Sequence, residues 1–220
     1  MPHMNRFLLP LAFCAMFESA AIAQTSNVTF SFENSTDSKP AIEAKLIGPI
    51  AYEPGTAGKA ATFRGSSSIE VAHSRLFESP AWTISAWACP EQERCSGRIV
   101  EKGASNSFWL TFYWGRARCG FFSKEDGYQE IDSATKFKAN EWHHVAGVFD
   151  GQTLKLYVDG KMEIMKNTHG VPNSTKQPFV IGAKHQGIAA DSFIGALDEV
   201  SFHNRALPDS EILALYQAGQ

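Results

Sequence analysis

A chain of 220 residues has the size of one β-sandwich domain or of two small units. The formal net charge of −3 and the lack of any Lys/Arg-rich run leave no electrostatic footprint for nucleic acid. Aromatic residues make up 12% of the chain, Phe foremost, which suits a pleated β core.

The N-terminus reads as an export signal over residues 1–23. Arg6 supplies the positive end, Phe7 to Phe17 an apolar stretch, and Ala21-Ile22-Ala23 a small-x-small cleavage site before Gln24. The apolar stretch is too short to span a bilayer comfortably, and no later segment is predicted to cross one. A buried N-terminal helix is the alternative; a lipid anchor on Cys14 is opposed by the bulk of Phe13. The expectation is a soluble product, secreted or periplasmic, with a single domain over residues 24–220. Export implies an oxidising compartment, where Cys89, Cys95 and Cys119 form an odd set. A Cys89–Cys95 staple is the simplest pairing and Cys89–Cys119 its competitor. No Cys-x-x-Cys pair suggests a zinc or redox site. The sequons at Asn27, Asn34 and Asn173 matter only in a glycosylating host.

From there on the pattern is one of short strands. Val28, Phe30 and Phe32 alternate. A polar loop over residues 33–38 and an irregular, Pro/Gly-rich stretch over residues 39–60 follow. Ala61-Thr62-Phe63, Ser68 to Val71, and Trp82 to Ala88 read as strands, the last stopping at Pro90. Arg98 to Lys102, Phe108 to Trp114, Ala117 to Phe122 and residues 128–132 continue the series, with turns at Gly103, Gly115 and Gly127.

Residues 141–161, EWHHVAGVFDGQTLKLYVDGK, are the most legible stretch. Two period-two runs flank Asp150-Gly151, and a second Asp-Gly closes the later run, so an antiparallel meander is predicted. Helical spacing is absent. Residues 167–178 and 183–191 are polar loops, with strands at Phe179 to Gly182 and Phe193 to Phe202. A terminal helix opens at Pro208 or Asp209 and stops at Gly219, with Ile212, Leu215 and Tyr216 forming its apolar stripe. The sum is an all-β, two-sheet antiparallel sandwich capped by one short C-terminal helix.

Glu141-Trp142-His143-His144-Val145-Ala146, Leu156-Tyr157-Val158-Asp159-Gly160, Gly195-Ala196-Leu197-Asp198-Glu199-Val200 and Trp82 to Trp87 together resemble the laminin-G-like jelly-roll family of the concanavalin A-like lectin/glucanase superfamily. The likeness runs from about Val28 to Gly219. It implies a jelly roll, and a function among lectins, adhesion modules and glycosidases. It also implies a structural calcium ion, with Asp198 and Glu33 as carboxylate ligands, Asn34 as a weaker partner and a backbone carbonyl near Arg64-Gly65. Asp198 and Glu199 capping a turn, or pairing with Arg205, is the plain alternative. Pro208 stands where the family commonly has a Ser cap, and Glu33-Asn34 where it often has Asp-Gly.

For glycan binding the candidates are Trp109, Tyr113, Trp114 and His185. Aromatic faces and polar groups match sugar C–H patches and hydroxyls, and Trp109, Thr111 and Tyr113, if they face outward, would line the concave sheet. His169 and Asn173 lie in the polar loops. For glycoside hydrolysis the pattern Glu-x-Asp-x-x-Glu is only begun: Glu130-Ile131-Asp132 is followed by Thr135, which cannot donate the proton. His143 and His144 alternate to opposite faces and cannot chelate one metal. The expectation is an exported module that binds a carbohydrate or cell-surface glycan, with glycan cleavage and a protein partner in the cell envelope as alternatives.

Overall fold

The computed structural model describes residues 27–184 and 191–220. The segment read as an export signal and the candidate His185 lie outside the described residues.

Fifteen strands, one α-helix and a single 3-10 turn (Arg75–Phe77) are described: β1 (Asn27–Phe30), β2 (Ala44–Ile47), β3 (Ala51–Pro54), β4 (Lys59–Arg64), β5 (Ser68–Val71), β6 (Trp82–Pro90), β7 (Gly97–Lys102), β8 (Phe108–Tyr113), β9 (Arg116–Ser123), β10 (Gly127–Asp132), β11 (His143–Phe149), β12 (Thr153–Val158), β13 (Lys161–Asn167), β14 (Phe179–Ile181), β15 (Ile194–His203) and α1 (Asp209–Ala218). An eight-stranded antiparallel sheet runs β13-β12-β11-β6-β15-β4-β3, with β1 also on β15. A seven-stranded sheet runs β10-β9-β8-β7-β14-β5-β2. The two stack as a jelly-roll sandwich. β2 and β3 lie in the stretch read as irregular. Each has only four residues and stands at a sheet edge beside Pro and Gly, too short to show a period.

The meander forms as its alternation requires, for a reason the sequence conceals. Val145, Phe149, Leu154 and Leu156 enter the core between the sheets. Ala146, Val148 and Tyr157, of opposite parity, are buried as well, because α1 lies over that face with Leu207 and Ile212. Tyr216 of α1 stacks on Trp87 with centroids 5.4 Å apart. The Tyr157 hydroxyl donates to Asp209 at 2.7 Å, which fastens the first turn of α1 to β12. Pro208 is the N-cap and offers no side-chain acceptor; Arg205 and Glu211 hold the entry instead, at 2.5 Å.

Phe77, Phe179, Phe202, Phe108 and Trp82 form a continuous run of ring contacts between the sheets, at 4.6 to 6.0 Å. Burial of each such ring is worth roughly 1.5–3 kcal/mol.

The expected Cys89–Cys95 staple is not formed, nor is its competitor: Cys89, Cys95 and Cys119 are free thiols. β6 sends Ala86 and Ala88 into the core, so Cys89 projects from the outer face of the eight-stranded sheet, whereas Cys95 and Cys119 point into the core. A layer of β-sheet separates the sulfurs that would have to meet.

Candidate functional site

β8 places Phe108, Leu110 and Phe112 in the core and turns Trp109, Thr111 and Tyr113 to the outer face of the seven-stranded sheet. Trp109 is nevertheless only 1% exposed. Its indole lies across Gly120 of β9, where a Cβ would stand 2.8 Å from the ring. The Arg98 guanidinium sits 5.5 Å above it and the Tyr128 ring 5.8 Å away. Trp109 is thus a floor. The rings that reach solvent are Tyr128, Tyr113 and Trp114, at 60%, 45% and 64% exposure.

Above this floor opens a cavity of about 350 Å³, lined by Arg98, Ser105, Trp109, Tyr128, Glu130 and Lys184. The Trp109 indole N–H is buried and has no partner, an unmet donor whose cost is about 1–3 kcal/mol. One wall is assembled from within. Arg98 Nε lies 2.8 Å from the fully buried Glu101, its Nη2 donates to Ser105 Oγ at 3.0 Å, and Ser105 Oγ in turn lies 3.3 Å from Glu101. Gly103, Ala104 and Ser105 carry φ of +78°, +54° and +65°, a left-handed turn closed by Asn106 N–H on Gly103 C=O at 2.9 Å. Left-handed backbone at two non-glycine residues costs roughly 1–2 kcal/mol apiece; the Arg98–Ser105–Glu101 links hold it.

Arg118 governs the neighbouring part of the face. Its guanidinium stacks 3.8 Å from the Tyr113 ring and forks onto Asp132 at 2.5 and 2.9 Å, with Glu130 at 3.4 Å. The hydrogen bond it donates to Asp132, foremost, raises the Arg118 pKa above its ordinary value. Glu130 and Asp132 do share one face, as alternation requires. An arginine between them gives both a cation to neutralise, and Thr135 is bound to Glu163. That is the reverse of what a proton-donating carboxyl needs.

The four glycan candidates are not all brought together. Trp109 lines the cavity. Tyr113 lies four residues along β8 and Trp114 five, roughly 13 and 17 Å at about 3.3 Å per residue. Trp114 occupies the β8–β9 turn with φ of +50°, its N–H donating to Ser96 Oγ at 3.0 Å. Lys184, the chain neighbour of His185, lines the cavity and pairs with Asp191 at 3.4 Å. Sequence reasoning missed Arg98, Arg118 and Tyr128. The parity of β9 and β10 carried the signal: Arg116, Arg118, Tyr128, Glu130 and Asp132 all stand opposite the core-directed Ala117, Cys119 and Ile131.

The calcium set is only half assembled. Asp198 is fully buried. Its Oδ2 accepts from Thr56 N–H, Thr56 Oγ1 and Ala57 N–H at 3.0, 3.1 and 3.1 Å, and its Oδ1 from Glu199 N–H at 2.8 Å. Glu33 reaches the same turn, accepting from Lys59 N–H at 3.2 Å, but Asn34 is taken by the Lys59 ammonium at 2.8 Å. Gly65 follows the opposite end of β4, beside Ile194. Among the described residues no three acidic, His or Cys side chains converge as a metal-ligand set. These side chains as placed do not fit a calcium cage. The Asp198 carboxylate instead ties the β3–β4 turn to β15, at the bulge where β15 passes from β4 to β1. Burial pushes the Asp198 carboxyl up against the pull of those hydrogen bonds. Glu199 is raised likewise, by burial and then by the Asp198 and Glu33 charges.

His143 and His144 do part company. His143 Nδ1 pairs with Asp159 at 2.9 Å. His144 is buried under α1 with neither ring nitrogen partnered, and burial lowers its pKa to about 4.

A two-sheet jelly roll with one helix laid across a sheet, and an aromatic and charge-paired outer face, defines a protein of the lectin-like sandwich class. The sequence profile of the concanavalin A-like lectin/glucanases superfamily matches residues 63–213, and the chain belongs to that superfamily. No curated protein is matched by sequence. Among solved structures the chain is similar to the binding domain of Paraclostridial Mosquitocidal Protein 1, with a TM-score of 0.72 and 16% identity over 88% of this chain and 52% of that one. It is similar to domain 4 of AbnA, an extracellular arabinanase from Geobacillus stearothermophilus, solved with arabinotriose, with a TM-score of 0.71 and 21% identity over 88% and 99%. It is similar also to the binding domain of botulinum neurotoxin DC in complex with SialylT, with a TM-score of 0.70 and 12% identity over 89% and 51%. The chain spans about half the length of the toxin domains and nearly all of the arabinanase domain. At these identities the likeness is one of fold.

Proposed function

We propose that this protein is an exported carbohydrate-binding module whose ligand lies on the outer face of the seven-stranded sheet, over Trp109 and between Tyr128 and Tyr113. The observation that carries this is the cavity itself. A buried aromatic floor, an exposed ring at its rim and a carboxylate and cations in fixed positions are what stacking and hydroxyl recognition require. Arabinotriose on the arabinanase domain and the glycan ligand of the toxin domain support the class of ligand. Among the described residues no helix is long and apolar enough to cross a membrane, and the charged N-terminus, apolar run and small-x-small site support export. A glycan array probed with parent protein and with Tyr128→Ala tests the site: array signal that disappears in the variant upholds it, and signal that ignores the variant removes it.

A protein receptor is the second reading, because the neurotoxin DC binding domain is also solved with rat synaptotagmin II. A silent array together with capture of a defined envelope protein would favour it. Release of reducing ends from any polymer on the array, lost in Glu130→Gln, would overturn the non-catalytic reading.

A further inference from the structure

Resting on the glycan reading above, we infer that this face selects neutral saccharides and turns away uronate, sialate and sulfate groups.

The inference comes from how charge is arranged along β7 to β10. Among the described residues four cations stand on or beside the face, and each already has a partner. Arg98 is held by Glu101 and Ser105. Arg118 is held by Asp132 and Glu130. Lys184 pairs with Asp191. Arg116 donates to the Ser133 carbonyl at 2.7 Å and to the Ala134 carbonyl. Against them stand four carboxylates, Glu101, Glu130, Asp132 and Asp191, so the local sum is zero. Two of the four cations, moreover, are spent on aromatic rings: Arg98 over Trp109 and Arg118 over Tyr113. An acidic sugar could recruit Arg98 or Arg118 only by breaking a charge-assisted pair and uncovering a ring, and Arg116 only by stripping it from two backbone carbonyls, while approaching Glu130 on the cavity wall.

A neutral sugar meets the opposite situation. Its hydroxyls can donate to Glu130 on the cavity wall. Its C–H face can stack on Tyr128. None of these contacts disturbs an ion pair. Selectivity of this kind works by a penalty built against the wrong ligand as much as by attraction to the right one. The Gly103–Ser105 left-handed turn supports it, since it fixes Ser105 where it completes the Arg98–Glu101 link and keeps that cation occupied.

The experiment is a matched comparison by isothermal titration at low salt. Galactotriose and trigalacturonate share a backbone and differ at the C6 carboxylate; a glycan array with neutral, sialylated and sulfated members accompanies them. Parent, Tyr128→Ala and Glu130→Gln proteins are compared, with circular dichroism to confirm that each is folded. The expected result is array signal among neutral members, lost at least tenfold in Tyr128→Ala. Each uronate binds about tenfold or more weaker than its neutral counterpart, and Glu130→Gln narrows that gap roughly fivefold. Signal confined to acidic glycans but still lost in Tyr128→Ala would overturn the neutral class and leave the site standing. Signal indifferent to Tyr128→Ala, or no signal at all, would overturn the site and this inference with it.

Discussion

Replacement of Asp198 by Asn is the sharpest probe of what the buried acid of β15 does in this fold. The parent carboxylate accepts four hydrogen bonds, three on Oδ2 and one on Oδ1. Every neighbour is a donor. An amide can accept at one oxygen only, so its best orientation keeps the Thr56 and Ala57 bonds and turns its NH2 toward the Glu199 N–H. One charge-assisted bond, worth about 1.5–3 kcal/mol, is lost to a donor–donor contact, and the three that remain become neutral and weaker. Relief acts in the other direction, because burial and the Asp198 charge both raise the Glu199 carboxyl. The net expectation is a loss of about 2–3 kcal/mol, or a melting temperature lower by roughly 5–10 °C for a domain of this size. Calorimetric melts of parent and variant, each in chelator and in excess calcium, read it. The same drop should appear in both buffers, and the parent should melt identically in each. A parent that loses stability in chelator, with a variant that does not, would mean that the carboxylate serves a cation and that the turn-tying argument is wrong. A variant within a degree of the parent would refute the hydrogen-bond account itself.

Burial lowers the Lys102 ammonium to about 8, from an ordinary 10.5, with Glu78 pulling the other way. A base lowered on folding costs stability below pH 8, and the cost is relieved as pH rises from 8 to 10.5. Urea melts of the parent should therefore gain stability across that window, while Lys102→Met, which loses the bond to the Gln177 carbonyl, should stay flat there. Burial lowers His144 to about 4, with Asp159 opposing. The stability this neutral histidine holds near pH 7 is lost as pH falls from 6.5 to 4, by on the order of 3 kcal/mol. His144→Phe should remove that part of the acid slope, and Trp87 fluorescence beside α1 should report it. Alkylation with peptide mapping should modify Cys89 in the native protein and Cys95 and Cys119 only after unfolding. Burial raises the Cys95 thiol to about 12 and pushes Cys119 up further still; recovery of a Cys89–Cys95 disulfide peptide would refute the free-thiol arrangement. Gly182→Ala should prevent stable folding, since its φ of +84° is left-handed and a Cβ there would land on the Phe63 ring; a soluble variant with native melting would contradict the packing.

What could be read from the residues alone, and what could not, follows from how far apart in the chain the causes lie. The meander at residues 141–161 and the terminal helix were legible because alternation, Asp-Gly turns and the Pro208-to-Gly219 frame act within a few residues. That Trp109, Thr111 and Tyr113 share one face was legible for the same reason, though which face they take was not. Nor was the consequence. Trp109 is covered by Arg98 from the strand before it and by Tyr128 from two strands later, and it lies flat only because Gly120, across the hairpin, has no side chain. Nothing within the hexapeptide Phe108–Tyr113 distinguishes a floor from a platform. The calcium expectation shows the same limit at longer range. Asp198 and Glu33 both accept from backbone N–H groups of a turn at residues 55–59, inside a stretch with no period to read. The backbone carbonyl expected near Arg64-Gly65 lies beyond the far end of the strand that this turn begins. A local pattern decides which face a side chain takes. Whether that face meets solvent, a guanidinium or a helix is decided by pairings across the sheet, and the chemistry of this face is settled there.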